Sequence, residues 1–571
     1  MPIDAGVSGG GPVGEVPNQE GLLQLGRTID GRGKRASHRK RHSRRFRWIR
    51  GISIAVAVVL FAVVGFGVWD YFYLGGLIQH THVDHLQASG STENILLVGS
   101  TDRCALKVQN PMYGLCSQGV TGINSDIVMI IHLDPATHGV ALLSIPRDLF
   151  VPNARIEGAN KIDAALYEGP SQLAAAIEED FAIPINHYVE LNFDTFASVV
   201  NALGGVKMYF PRPVFDAESS LNIPRAGCYD LNGTEALEVV RARHLQIQPI
   251  GGSNDHSTWP QEAESDIARI RRTHEFLRVL ATKVAARGLG NPFTDQSIAT
   301  SVLPNLTVDQ AFNEGEMVSL AETYAGTSIS DVPQLTYPVI LDQVGTYMYK
   351  GYEYGDVEFP IQPGGYKTVN QIFGAASGTS SWNDAALPKP QSFPMSVVNG
   401  TGTANQAATV AASLAPHGFK VVSTGDVTPV GPLSETVVWY GGPPPPKTGN
   451  WSNPALQDAE AVLQQVQGPA ILGYNPAEVT PGAQVTLQTG TDISIAAVVK
   501  TVPPSKGHAK PHTTTTTSHA GTTVPPTVTP TTVYDPPDVA ADNSFSAPTA
   551  TAQPLAPWDP RPCNAAGTGP A

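Results

Sequence analysis

LLSIPRDLFVP, Leu142–Pro152, is the stretch that decides the reading of this chain. Its first residues are those of a buried strand. Pro146 cannot donate to a sheet ladder and stops it. A charged pair, Arg147 and Asp148, then stands at the strand end, where chemistry is carried in αβ proteins. Two similar runs precede it, NILLVG (94–99) and DIVMIIHLD (126–134), and the run itself extends back to GVALLSIP (139–146). All are apolar and bounded by Gly, Pro or Asp, as buried strands are. Helical spacing of apolar residues follows in SQLAAAIEEDF (171–181), DTFASVVNAL (194–203) and IARIRRTHEFLRVLATKVAA (267–286). Strands mixed with helices on this scale predict an α/β fold, a layered αβ domain over 94–340.

Charge is distributed unevenly along the 571 residues. Residues 1–50 hold 11 Lys/Arg against 4 Asp/Glu, while the rest of the chain carries a balance of −21. An acidic body argues against a nonspecific nucleic-acid binder, because such binding rests on neutralised phosphates. The basic residues of 1–50 instead flank GISIAVAVVLFAVVGFGVW (51–69), 19 residues without a charge. The spacing predicts a single-pass transmembrane helix there, with 1–50 cytoplasmic and the C-terminal bulk extracellular. A cleaved signal peptide is the rival, disfavoured by the late start and the missing small-x-small site.

A stalk is expected over 70–93, an irregular extension and linker over 341–392, and a second small αβ domain over 393–490. The second domain reads as strands in FPMSVVNGTG (393–402), ETVVWYG (435–441) and AQVTLQTG (483–490), with helices in NQAATVAASLAPHGF (405–419) and DAEAVLQQV (458–466). Its glycine turn lacks both GxGxxG and GxxxxGK[ST], so it reads as a turn and not a phosphate cradle. Residues 491–571, rich in Thr, Pro and Ala, are expected to form a disordered tail. Four cysteines, Cys104, Cys116, Cys228 and Cys563, include no CxxC pair. On an exterior face they suit disulfides, with Cys116 and Cys228 competing for Cys104. HTHVDH (80–85) has metal-ligand residue types but reads as a solvated stalk.

Carboxylates and arginines collect at element ends: Asp102 and Arg103 in STDR, Asp126 in NSD, Arg147 and Asp148 in SIPRD, Arg241 and Arg243 in LNGTEALEVVRAR, Arg269 and Arg272 at i, i+3 in SDIARIRRTHEFL. Arginine forks suit phosphate oxygens, and carboxylates hold Mg²⁺ in a shell that phosphates complete. Pyrophosphate is the expected guest.

The order of NILLVGSTDR, NSDIVMIIHLDP, LLSIPRDLFVP, ANKIDAALYEG, INHYVELNFDTFASVVNALGGV, LNGTEALEVVRAR and DIARIRRTHEFL resembles the LytR-CpsA-Psr family of cell-envelope proteins of actinobacterial type. Residues 393–490 resemble the C-terminal LytR domain that accompanies it. The resemblance implies an αβ domain with a long hydrophobic groove for a polyprenyl chain. It implies transfer of a glycopolymer from a polyprenyl-pyrophosphate carrier to a cell-wall acceptor such as peptidoglycan, by attack of a sugar hydroxyl on phosphorus. Arg103, Arg147, Arg241, Arg243, Arg269 and Arg272 would bind the phosphates. Asp102 and Asp126 would hold Mg²⁺, or Mn²⁺, and Asp102 or Asp148 would take the acceptor's proton. The implied partners are the lipid-linked glycopolymer, peptidoglycan and the membrane, with no nucleic acid. The sequence departs from the family pattern at Thr101, where an aspartate is usual, at Asn124, where an arginine is usual, and at Thr273-His274. These departures keep open a second class, a non-catalytic protein that binds lipid-linked pyrophosphate or cell-wall glycan.

Overall fold

The computed structural model describes residues 73–498 and 554–570, apart from short stretches of which 107–113 and 288–299 are the longest. The centre is a mixed seven-stranded sheet. Its order is Gln79–Thr81, Leu306–Asp309, His187–Leu191, Glu93–Ser100, Ser125–Asp134, Gly139–Ile145 and Gln334–Thr336. Antiparallel pairing puts Leu97 opposite Met129 and Gly99 opposite Ile127. Side chains alternate faces along a strand, and this register divides the sheet into two apolar surfaces. Leu96, Val98, Val128 and Ile130 pack on one side with Leu173 and Ile177 of the helix Pro170–Phe181. Leu97, Gly99, Ile127 and Met129 face the other side, toward the helices Phe193–Ala202, Gly233–Arg241 and Ser265–Arg287.

Local chemistry sets the ends of those helices. Asn192 caps the first, its side chain accepting from Thr195 N at 2.9 Å. Asn232 and Glu235 form a reciprocal capping box on the second, satisfying two otherwise unpaired backbone donors. Gly233 is needed there because a Cβ would collide with the Ala197 backbone. The two helices therefore pack closely, and the second ends at Arg241.

A second sheet runs Val339–Leu341, Glu358–Gln362, Val466–Tyr474, Thr436–Tyr440, Val485–Thr489, Pro394–Asn399 and Lys420–Asp426, with Ser494–Ile495 beside Val466–Tyr474. Glu358–Gln362 lies where an irregular extension is expected, and Val339–Leu341 straddles its start. The helix Gln406–Leu414 continues as a short 3-10 turn that Gly418 ends in the left-handed region (φ 90°). The two sheets share a buried junction. Tyr440 Oη donates to the Glu179 carbonyl at 2.9 Å, and Glu178, Glu179 and Asp180 are all buried.

Three expectations are corrected. The single-pass anchor does not stand as part of this fold: among the described residues no helix is long and apolar enough to cross a membrane, and 51–69 lies outside them. The stalk is in part an edge strand, Gln79–Thr81 pairing in parallel with Thr307–Asp309, and Gln87 donates to buried Glu178 at 3.1 Å. The end of the tail is ordered. Arg561–Pro562 pairs with Val206–Phe210, and Cys563 is bonded to Cys228, leaving Cys104 to Cys116.

Candidate functional site

Two cavities meet at the strand ends. The first, about 60 Å³ and almost wholly apolar, lies between the sheet face of Leu97 and Met129 and the helical side chains Phe193, Leu237, Val240 and Leu277. The second, about 290 Å³ and polar, is lined by Arg103, Arg147, Arg241, Arg243 and Arg269 around Asp126. Asp126, Arg241 and Arg269 line both. Phe193 lines the apolar one, under two of the arginines of the other. The Arg241 guanidinium lies 4.8 Å and that of Arg103 5.9 Å from its ring centroid, so charge and apolar surface adjoin. The long groove implied by the resemblance is here a narrow cavity.

Arg147 leaves the strand end just after Pro146 and meets three carboxylates. It is bonded to Asp126, lies 3.1 Å from Asp163 and 3.7 Å from Asp148. Burial opposes its charge, yet Asp126, Asp163, Asp148 and Asp266 outweigh that and hold it above the ordinary arginine value. Burial lifts Asp163 to about 6 against the pull of Arg147. Asp148 is buried too, but Arg243, Arg147 and Lys161 win and hold its carboxyl below the usual range. Buried Asp266 joins Arg269 at 2.9 Å and lies 3.5 Å from Arg243. The arginines are thus aimed by acids behind them. Nε of both Arg147 and Arg243 is buried and makes no hydrogen bond. Each faces a carboxylate just beyond hydrogen-bond reach, Asp148 at 3.7 Å from Arg147 Nε and Asp266 at 3.5 Å from Arg243 Nε, which offsets part of the cost of burying the charge.

Several expected residues stand elsewhere. Asp102 does not line the polar cavity; its Oδ1 accepts from Cys104 N at 2.9 Å and Ala105 N at 3.1 Å, capping the turn that the Cys104–Cys116 bond closes. Asp102 thus serves its own turn, and of the two expected metal ligands only Asp126 lines the cavity. Asp148 does not line the cavity either, and its low basicity suits an anchor for Arg243, Lys161 and Arg147, not a proton acceptor. Arg272 is 1% exposed and lies behind the site, bonded to Glu262 and to the Ala242 carbonyl at 2.6 Å. Arg103, Arg147, Arg241, Arg243, Arg269 and Asp126 do come together.

The departures have local partners. Thr101 Oγ1 accepts from Asn124 N at 2.9 Å, knitting the two strand ends, and Thr273 lines the apolar cavity. His274 lies 2.8 Å from Ser144 Oγ, and burial lowers it to about 4, so it is neutral at physiological pH. In HTHVDH, His82 pairs with Asp84 and His85 with the Pro446 carbonyl, so the residues do not converge.

Residues 77–358 match the LytR_cpsA_psr family, and 392–492 match the family described as LytR cell envelope-related transcriptional attenuator. The chain belongs to the LytR-CpsA-Psr family. Among its relatives, Corynebacterium glutamicum LcpB is 31% identical over 247 residues, 43% of this chain and 55% of that protein. The polyisoprenyl-teichoic acid–peptidoglycan teichoic acid transferase TagU of Bacillus anthracis is 25% identical over 260 residues, 44% of this chain and 77% of its own length. The chain thus spans about half the length of the first of these relatives. A solved structure described as a LytR-Csp2A-Psr enzyme from Actinomyces oris is similar at 21% identity and a TM-score of 0.38, covering 50% of this chain and 93% of that one.

Proposed function

We propose that this chain moves a glycopolymer from a polyprenyl-pyrophosphate carrier to a cell-wall acceptor such as peptidoglycan, as a phosphotransferase. One observation carries the reading: an apolar cavity and an arginine-lined cavity share Asp126, Arg241 and Arg269, an arrangement made for one amphiphile with an apolar tail and a diphosphate head. The tail lies among Leu97, Met129 and Leu237, and the diphosphate lies among the arginines that line the polar cavity. An acceptor sugar hydroxyl attacks the sugar-bearing phosphorus, the pyrophosphate P–O bond breaks, and polyprenyl phosphate leaves, its new oxygen charge balanced by the proton the hydroxyl gives up. The new bond is a phosphodiester. The arginines contribute fixed positive charge where the phosphoryl oxygens gain negative charge. Family relatives named as teichoic acid transferases support the same class.

Asp126 fits a Mg²⁺ or Mn²⁺ shell that phosphate oxygens complete, since such ions are held by one or two carboxylates plus substrate. Asp102, turned to its own loop, does not fit. A bound ion would supply charge neutralisation to the diphosphate. With two disulfides, the chain suits an oxidising compartment, outside the cytoplasm, where the lipid carrier presents its head group. The acidic body fits this better than a nucleic-acid partner.

A second reading, a non-catalytic binder of lipid-linked pyrophosphate, is favoured by one feature. Of the two carboxylates that line the cavity, Asp126 is already bonded to Arg147 and Glu218 lies 3.0 Å from His244. The two part in a transfer assay with a polyprenyl-pyrophosphoryl oligosaccharide and peptidoglycan fragments. Release of polyprenyl phosphate, lost in Arg241→Ala, supports transfer; donor binding without release supports the binder.

A further inference from the structure

The end of the chain reaches the back of the arginine cavity. Asp559 is 0% exposed and bonded through Oδ2 to Arg271, with Oδ1 3.7 Å from Arg272. Glu262 completes the group, 3.0 Å from Arg271 and bonded to Arg272, and accepts from Trp558 Nε1 at 2.8 Å. Two buried guanidinium groups are thus matched by two buried carboxylates, one of which arrives from the other end of the sequence. Arg272 then donates to the Ala242 carbonyl at 2.6 Å. Ala242 ends the helix Gly233–Arg241 in an extended conformation (φ −61°, ψ 117°) and stands between Arg241 and Arg243, both of which line the cavity.

We propose that residues 554–564 are a working part of this site, with Asp559 a positioning residue that acts through Arg272 on the Ala242 backbone and so on the aim of Arg241 and Arg243. The inference rests on the reading of the cavity as a pyrophosphate site. Without Asp559, Glu262 is left to balance two buried cations. The pull of Arg271 on Glu262 then competes with the pairing that holds Arg272 against Ala242. Apart from the buried contacts of Asp559 and Trp558, little backbone pairing holds the segment. Its strand is two residues long, Arg561 opposite Tyr209 and Pro562 opposite Met208, far short of an independently stable pairing. The Cys228–Cys563 bond fastens it one residue beyond, and Cys228 is itself the register partner of Tyr209. The covalent link therefore keeps Asp559 beside Arg271 and makes the geometry of the cavity dependent on an oxidised chain end.

The test is calorimetric titration of the full chain with farnesyl pyrophosphate, comparing Asp559→Asn, the pair Cys228→Ser/Cys563→Ser, and Arg241→Ala. Positioning predicts that Asp559→Asn and the cysteine pair each raise Kd about tenfold, a loss of about 1.4 kcal/mol, at unchanged stoichiometry. A merely structural role instead lowers the number of competent sites and leaves Kd where it was, and that result overturns the proposal. If Asp559→Asn does not fold, the cysteine pair decides, because it leaves every charge of the buried group intact. A raised Kd in Arg241→Ala with wild-type Kd in the other two overturns the positioning role alone. Unchanged Kd in Arg241→Ala overturns the pyrophosphate reading as well.

Discussion

Arg147→Met separates what holds the site together from what the site holds. The side chain is 18% exposed and meets Asp126, Asp163 and Asp148. Removing one partner of a buried ion pair costs about 3–5 kcal/mol, and residual exposure with two remaining cations on Asp148 places this one near 2–3 kcal/mol. The largest share falls on Asp163, already lifted by burial to about 6 with Arg147 present. Without the guanidinium its carboxyl rises further. Asp163→Asn in the same chain removes the stranded acid, so Arg147→Met/Asp163→Asn should regain most of the lost stability in urea unfolding, a coupling readable as a double-mutant cycle. Binding should not recover. Charge-assisted hydrogen bonds to a diphosphate are worth about 1.5–3 kcal/mol, so both variants should bind farnesyl pyrophosphate roughly 10- to 150-fold more weakly. If the double variant regains binding along with stability, Arg147 is a structural ion-pair partner and not a phosphate ligand.

Other outcomes follow from the same geometry. Leu237→Trp, which fills the apolar cavity, should weaken farnesyl pyrophosphate at least tenfold in calorimetry while leaving inorganic pyrophosphate unaffected, at an overpacking cost of about 1–3 kcal/mol. An anion beside Arg147 favours protonated Asp163, so affinity for a donor diester, which does not titrate in this range, should rise as pH falls through about 6; Asp163→Asn should flatten that profile. Burial raises Glu179 to about 8, above its unfolded value near 4.5. A raised carboxyl makes the folded state bind more protons, so this group's contribution is full below about 4.5 and is lost as pH rises toward 8. Glu179→Gln should remove a few kcal/mol of that slope, by comparison of urea midpoints across the range.

Much of the first domain could be read in advance because its chemistry is local. The alternation of Leu96 with Leu97 and of Val128 with Met129 carries both apolar faces, and Arg103, Arg147, Arg241, Arg243 and Arg269 line one cavity while Arg272 lies behind it. What escaped is nonlocal. Asp163 lies in a short run, IDAALYE, that reads as a core helix turn; an aspartate among buried Ile162, Ala165 and Leu166 is the available signal, because such a group needs a cation. Asp266 and Glu262 are ordinary acidic residues until the fold places arginines against them. The strands Val339–Leu341 and Glu358–Gln362 are short and lack the length that marks a strand, and the partner Val466–Tyr474 supplies what they lack. The chain end was hidden by its composition. Its signal was Cys563: once Cys104 closes the short loop with Cys116, Cys228 is left to a cysteine beyond the Thr/Pro-rich run, and the chain has to return.

In the proposed mode of binding, one lipid pyrophosphate spans both cavities. That mode is tested most directly by photocrosslinking with a prenyl pyrophosphate that carries a photoreactive group on its tail, followed by peptide mass spectrometry. A lipid seated in both cavities puts label on the peptides of Leu97, Met129 and Leu237, competed by unmodified farnesyl pyrophosphate and lost in Arg241→Ala. Label confined to other surfaces, or label on those peptides that Arg241→Ala leaves unchanged, would contradict that mode.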